Sequence, residues 1–255
     1  MVGTSKRALP WLVPGLLLVI WQAGVSAGWI DQQTLPSPGA VAEAFLKLAR
    51  SGELWRDIGV SSARALAGFA VGGGIGFALG MLNGLSSLSE TLTDTTLQML
   101  RNIPHLALIP LVILWFGIGE EAKLFLVALG VFFPIYVNTL HGVRSVDPHL
   151  LEMARAYGLS RRAVFRQVVF PGALPSIFVG LRYGLGIMWL TLIVAETISA
   201  SSGIGFMAMN AREFLMVDVV VVSILIYAGL GKLADSIARL LERVCLRWNP
   251  VYAKA

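Results

Sequence analysis

Six apolar segments, each about as long as a bilayer is thick, dominate this chain. Roughly 20 apolar residues are needed for an α-helix to cross the hydrocarbon core of a membrane. The candidate segments cover residues 10–28, 60–82, 96–117, 122–141, 176–196 and 216–236. They predict an all-α integral membrane protein with about six transmembrane helices, and we expect residues 1–255 to form a single transmembrane domain.

Composition supports this prediction independently of the segments. Hydrophobic residues make up 56% of the 255 residues and charged residues only 14%, which is more apolar than a soluble domain can bury in one core. The third segment is the least regular, because Arg101, Asn102, Pro104 and Pro110 lie before or within its apolar run.

The first segment carries two signals. Lys6 and Arg7 precede an apolar run that ends in small residues near Ala27, a pattern that a cleavable signal peptide shares. We expect an uncleaved first helix. The alternative is a mature chain that starts near Gly28.

The distribution of basic residues predicts the orientation, since loops rich in Lys and Arg stay in the cytoplasm. With the N-terminus inside, the cytoplasmic basic residues are Lys6, Arg7, Arg144, Arg155, Arg161, Arg162, Arg166, Arg239, Arg243, Arg247 and Lys254. The external ones are Lys47, Arg50, Arg56, Lys123 and Arg212. We therefore expect both termini to be cytoplasmic. This topology explains the net charge of +5 without a nucleic-acid partner.

Residues 36–58 are too polar to cross the membrane. Ser37 and Pro38 are typical of a helix start, and one side of the helix would be apolar. That side consists of Val41, Ala42, Phe45 and Leu46. The segment is either a helix resting on the outer bilayer surface or part of a platform for an external binding protein.

Five glycines in the second segment recur at every fourth position. They are Gly68, Gly72, Gly76, Gly80 and Gly84. Small residues on one helical face allow two helix backbones to approach closely in a membrane. The sequence does not decide whether the partner helix belongs to the same chain or to a second copy.

The polar loop after the fourth segment has a fixed internal pattern. Asp147 and Pro148 form a helix start, and Gly158 lies where a helix C-terminus favours positive φ. Ser160 can cap a second helix, which we expect Pro171 to end. The loop therefore predicts two short helices with a bend at Gly158 and arginines on their wet faces.

This spacing resembles the EAA loop of the permeases of ABC importers. That family's pattern is Glu-Ala-Ala, three residues, Gly, nine residues, Ile, one residue and Leu-Pro. The chain matches it at Glu152, Ala154, Gly158 and Pro171, and it departs through apolar residues at Met153, Val168 and Phe170. Further segments starting at Gln98, Met188, Ser202 and Gly231 are similar to the aliphatic sulfonate branch of this family.

The resemblance implies a fold and a mechanism. The fold would be the MetI-like fold of type I importers, with a cytoplasmic coupling loop at about residues 142–175. Two copies of the chain would work with two ATPase subunits and an external substrate-binding protein in the inner membrane. The residues that it implies for ATPase coupling are Glu152, Met153, Ala154, Tyr157, Gly158, Arg162, Phe165, Phe170 and Pro171. Related permeases carry taurine, nitrate or bicarbonate, or a thiamine precursor, and these cargoes remain alternatives to aliphatic sulfonates.

Polar residues at membrane depth are candidates for a translocation pathway, because they are costly to bury in lipid. The candidates are Arg101, Asn102, Pro104, His105, Trp189, Glu196, Thr197, Asn210 and Arg212. Four of them have a simpler alternative: snorkelling or interfacial anchoring for Arg101 and Arg212, a helix-end cap for Glu196, and packing for Trp189.

The chain lacks the motifs of several other function classes. Gly231 and Lys232 are not preceded by the first glycine of a phosphate-binding loop, because Ile226 stands there. We therefore expect no enzymatic site and no cofactor on this chain, with ATP and Mg²⁺ bound by the partner ATPase. We also expect no metal, because Cys245 is the only cysteine and His141 and His149 lie far from a second ligand in the sequence. An ion-driven secondary transporter is a further alternative, but we find no clear inverted repeat.

Overall fold

The computed structural model describes residues 12–249, and all the regular structure in this range is helical. In chain order the helices are α1 Leu12–Ser26, α2 Pro38–Ser51, α3 Glu53–Leu85, α4 Ser87–Arg101, α5 Ile109–Phe116, α6 Glu120–Arg144, α7 Pro148–Ala156, α8 Arg161–Val164, α9 Phe170–Ser199, α10 Ile204–Glu213 and α11 Val217–Cys245. A 3-10 turn at His105–Leu108 leads into α5, and a π-helical turn at Phe165–Val169 joins α8 to α9.

Four helical runs are long and apolar enough to cross a membrane. They are α3, α6, α11 and the continuous run Arg161–Ile198. α1 has 15 residues, which is shorter than a full crossing needs, and the first residues of that predicted segment lie outside the described range. The predicted segments 60–82, 122–141, 176–196 and 216–236 thus fall on the four spanning runs.

The third predicted segment, 96–117, which is the least regular in sequence, is not one continuous helix. α4 and the helical run His105–Phe116 are bent by 80° at the break between them. Pro104 lies at this break with an extended ψ of 110°. Proline disfavours a helical conformation in the residue before it and has no backbone N–H to donate, so α4 ends before Pro104. The pair forms either a broken span or a re-entrant loop.

The contacts divide the described chain into two compact units. The first consists of residues 12–60 and 201–226, and the second of residues 61–200 and 227–249. In the first unit, Val41 and Ala44 of α2 pack against Val222 of α11. Ser37 caps α2 by accepting a hydrogen bond from the Ala40 N–H at 3.2 Å, as the sequence predicted. Ala42, Phe45 and Leu46 are exposed, so α2 buries only part of its expected apolar side.

In the second unit, α6 contacts both α9 and the glycine face of α3. A Cβ atom added at Gly76 would lie 2.5 Å from the Phe132 carbonyl oxygen, and one at Gly80 would lie 2.6 Å from that of Tyr136. The other three glycines of the stripe also face α6, opposite Val127, Ala128 and Val143. The tightest contact of the stripe is therefore made within this chain.

Candidate functional site

The polar loop forms the two helices that the sequence predicted. The Asp147 carboxylate caps α7 by accepting a hydrogen bond from the His149 N–H at 2.9 Å. Leu151 packs towards the cluster of Val143, Val169 and Ala173, which anchors α7 on the ends of α6 and α9. Ala154 is buried on the same helix.

Gly158 makes the bend between these helices. Its φ is +72°, which only glycine adopts readily. The Leu159 N–H donates to the Ala154 carbonyl at 3.1 Å, and the Gly158 N–H donates to that of Arg155 at 2.9 Å. This pair of bonds is the Schellman motif, which satisfies the last carbonyls of a helix.

Pro171 does not end the second helix, which corrects the expectation from the sequence. α8 is capped by Ser160, whose hydroxyl accepts from the Ala163 N–H at 3.3 Å. The helix then passes through the π turn at Phe165–Val169 directly into α9. Pro171 thus lies inside the continuous helical run Arg161–Ile198, two residues after the end of the π turn. The residues 170–175 therefore belong to a spanning helix rather than to a loop.

The outer surface of α7 and α8 is apolar and basic at the same time. Leu150, Met153 and Tyr157 are 45%, 50% and 77% exposed. Glu152, Arg155, Arg161, Arg162 and Arg166 are exposed beside them. Uncovered apolar side chains rimmed by charges are typical of a protein–protein contact surface. We call this set of residues the coupling surface.

A second feature lies at the bend between α4 and α5. There a cavity of about 430 Å³ is bounded by the bend, by the middle of α6 and by α9. Two of the predicted pathway residues, Arg101 and His105, line it together with Asn138 and Tyr183. His105 Nε2 lies 3.0 Å from the buried Thr191 hydroxyl, which fixes the orientation of the ring. We call this space the bend cavity.

The other pathway candidates do not join these two. Asn102 and Pro104 form the turn beside the bend cavity, and Thr197 donates to the Val194 carbonyl of its own helix at 2.8 Å. Trp189 is buried against the edge of Tyr227, which is a packing role. Asn210 and Arg212 lie on α10 in the first unit, where Asn210 lines a smaller cavity of about 280 Å³.

Glu196 belongs to a buried ionic cluster that sequence reasoning missed. Its carboxylate accepts hydrogen bonds from Arg64 at 2.8 Å, from Ser61 at 2.8 Å and from the Tyr227 hydroxyl at 2.9 Å. It is therefore an ion-pair partner and not a helix-end cap.

The cluster extends to the first turn of α6. The Arg64 guanidinium also holds both oxygens of Glu120, at 2.5 and 2.6 Å. Lys123, which the sequence placed in an external loop, is buried and pairs with Glu120 at 3.1 Å. Arg64 lies inside an apolar segment, and this was the sequence signal for a buried ion pair, since a charge within the membrane needs a partner. The sequence did not show which acid would meet it.

The four spanning helical runs and the bent helix pair define a multi-span membrane protein. Comparison with known families makes this assignment specific. Residues 70–245 match the model of the family described as "Binding-protein-dependent transport system inner membrane component". The chain belongs to this family, and it is therefore an inner-membrane transport component that works with a binding protein.

Several named permeases are similar to this chain over nearly its whole length. The chain is 62% identical to the aliphatic sulfonates transport permease protein SsuC of Escherichia coli (strain K12), over 96% of this chain and 94% of that protein. It is 45% identical to SsuC of Bacillus subtilis (strain 168), over 94% and 87%. It is 36% identical to the taurine transport system permease protein TauC of Escherichia coli (strain K12), over 92% and 87%.

The fold is similar to that of a solved transporter. The inward-facing MetNI methionine ABC transporter superposes with a TM-score of 0.52 at 19% identity. The match covers 69% of this chain and 92% of the other. It supports the MetI-like permease fold that the EAA-type loop implied.

Proposed function

We propose that this chain is the permease subunit of an ABC importer that moves aliphatic sulfonates across the inner membrane. The observation that supports this substrate assignment is the 62% identity to SsuC over nearly the full length of both chains. The taurine permease is much less similar, at 36%. Taurine, nitrate or bicarbonate, and a thiamine precursor are the cargoes against which this proposal is tested.

In this proposal the chain binds no nucleotide. Two copies enclose a shared path in the lipid bilayer, and two ATPase subunits bind ATP and Mg²⁺ beneath them. An external binding protein delivers the substrate. Both termini and the coupling surface lie in the cytoplasm, which agrees with the excess of arginine there.

The coupling surface would receive the motion of the ATPases. The continuity of α8, the π turn and α9 supports this, because a push on α8 is transmitted along an unbroken helix of 38 residues. Glu152 and Arg162 are exposed on this surface, where charged side chains can set the register of a docked subunit. ATP binding would rock the spanning helices and expose the path to alternate sides.

Uptake into proteoliposomes tests the ABC transport mechanism and the substrate in one experiment. The vesicles hold this chain and its ATPase, and they receive labelled hexanesulfonate with and without the binding protein. We expect uptake that requires ATP and all three components and that resists competition by taurine, nitrate or a pyrimidine. Competition by one of these would reassign the cargo, whereas uptake without the ATPase would refute the ABC mechanism.

Two variants of Gly158 test the coupling surface. A β-branched residue is strained at φ +72°, whereas asparagine tolerates this region. We expect Gly158→Val to lose co-purification with the ATPase and most transport, and Gly158→Asn to keep both. Equal ATPase binding by the two variants would argue against a role for this bend.

A further inference from the structure

We propose that the bend cavity is a binding site for one alkanesulfonate ion within the permease, and that it selects alkanesulfonates over aminosulfonates. This inference rests on the proposed function. It adds a selective step on this chain to the selection made by the external binding protein.

The depth of the bend cavity is the first argument. Its lining residues Leu129 and Asn138 lie near the middle of the spanning helix α6, and Tyr183 and Ile187 lie near the middle of α9. The cavity therefore lies about halfway across the membrane. Sites at this depth, formed where a helix is broken, are a common arrangement in secondary transporters, and the same geometry is present here.

Arg101 supplies the charge. It is the last residue of α4, lines the bend cavity, and forms no salt bridge with any residue in the described range 12–249. An arginine at this depth is costly unless it meets water or an anion. A sulfonate offers three oxygens that suit the planar guanidinium, and such charge-assisted bonds are the strong ones.

His105 completes the polar end. Gly130 of α6 packs closely against the contact between His105 and Thr191. A Cβ atom on Gly130 would lie 2.8 Å from the Thr191 hydroxyl and 3.2 Å from His105 Nε2. The glycine therefore makes room for the anchored ring beside Arg101.

The remaining walls are apolar and suit an alkyl chain. They include Leu100, Ile103, Leu108, Leu129, Phe133 and Ile187. Each methylene buried against such walls contributes about 0.8 kcal/mol, which is an affinity gain of about fourfold. A volume of about 430 Å³ leaves space for a short chain.

The lining also explains discrimination against taurine. Among the described residues that line the bend cavity there is no aspartate or glutamate. The ammonium group of taurine would lose its water there without gaining a carboxylate, which costs binding free energy. Ethanesulfonate differs from taurine only by lacking this group, so the two compounds form a matched pair.

Calorimetric titration of the purified permease–ATPase complex in lipid nanodiscs, without the binding protein, tests the site. We expect the affinity to rise about fourfold per methylene from methanesulfonate to hexanesulfonate. Taurine should bind roughly 10-fold or more weakly than ethanesulfonate. Arg101→Gln should weaken hexanesulfonate binding roughly 10- to 100-fold. Arg243→Gln, an exposed arginine of α11, is the control and should leave binding unchanged.

Asn138→Asp provides an isosteric second variant in case Arg101→Gln fails to assemble. It places a carboxylate in the bend cavity, so we expect weaker hexanesulfonate binding and a shift in the preference towards taurine. Unchanged binding by this variant would overturn the proposal, as would equal binding of taurine and ethanesulfonate.

Two further outcomes separate the possible failures. If wild-type proteoliposomes import hexanesulfonate but the complex binds none, the site is refuted and the proposed function stands. If no alkanesulfonate is imported, the proposed function itself fails. Binding that disappears when anionic lipid is added to the nanodiscs would assign the cavity to a lipid head group and overturn the proposal.

Discussion

Arg64 shows how one side chain can tie several membrane helices together. Its guanidinium on α3 holds Glu120 at the start of α6 and Glu196 near the end of α9, and Tyr227 of α11 joins through Glu196. The Arg64 side chain is 7% exposed and that of Glu196 is fully buried. In such surroundings a carboxylate that loses its cation pays a large desolvation cost.

Replacing Arg64 should therefore destabilise the second unit strongly. We expect Arg64→Leu to lower the free energy of unfolding by about 3–5 kcal/mol, because the Glu196 carboxylate loses the guanidinium. The midpoint of thermal unfolding in detergent measures this. The exposed control Arg243→Leu should shift stability by no more than about 0.5 kcal/mol. A similar small effect for both variants would mean that the cluster contributes little to stability.

At the scale of elements, α3 and α6 pack through backbone rather than through interlocking side chains. Gly72, Gly76 and Gly80 leave no Cβ atom where carbonyl oxygens of α6 come close, and Gly68 and Gly84 make room for valine side chains of α6. In lipid there is no hydrophobic drive between helices, and such close approach makes van der Waals contact the main attraction.

Two glycines on the same helix give a matched test of this packing. A Cβ atom at Gly72 would collide with the Ala128 backbone, whereas one at Gly74 would meet nothing within 4 Å. We expect Gly72→Ala to destabilise the protein by about 1–3 kcal/mol. Gly74→Ala should be neutral or stabilise it by up to about 1 kcal/mol, because alanine favours helix. Equal stability of the two variants in thermal unfolding would contradict the packing argument.

For the whole molecule, the proposed function depends on orientation. An ATPase can reach the coupling surface only if that surface lies in the cytoplasm. In the proposed topology the last turn of α11 lies on the same side. Cys245 is the only cysteine of the chain, and it is exposed in that last turn. The native chain therefore carries its own topology probe.

Labelling with a membrane-impermeant maleimide checks the orientation directly. We expect Cys245 to react in inside-out vesicles and to be protected in intact spheroplasts. In a Cys245→Ser background, Arg50→Cys on the exposed side of α2 should show the opposite pattern. Labelling of Cys245 from outside would reverse the orientation and exclude cytoplasmic coupling through α7 and α8.

Much of the site could be read from the sequence where the interactions are local. The caps at Asp147 and Ser160 and the bend at Gly158 lie where their side chains and backbone preferences indicated. Each depends on hydrogen bonds between residues within about one helical turn of each other. The family resemblance was equally readable, because the loop spacing is a linear pattern.

The bend cavity could be anticipated only in part. Arg101 and His105 stood out as polar residues in an apolar segment, but nothing local indicated that Asn138 and Tyr183 would face them. The continuation of the helix through Pro171 was also missed, because the π turn before it is stabilised by packing of Val169 on other helices.

Hydropathy, backbone preferences and linear spacing are enough to predict the four spanning helical runs, the short helices of the coupling surface and the family. Tertiary packing sets which helix the glycines face, which acids Arg64 meets, and which residues of α6 and α9 close the bend cavity. Those outcomes join residues up to 132 positions apart, as Arg64 and Glu196 are. Such pairings are set by how the helices pack against one another, and no local preference encodes them.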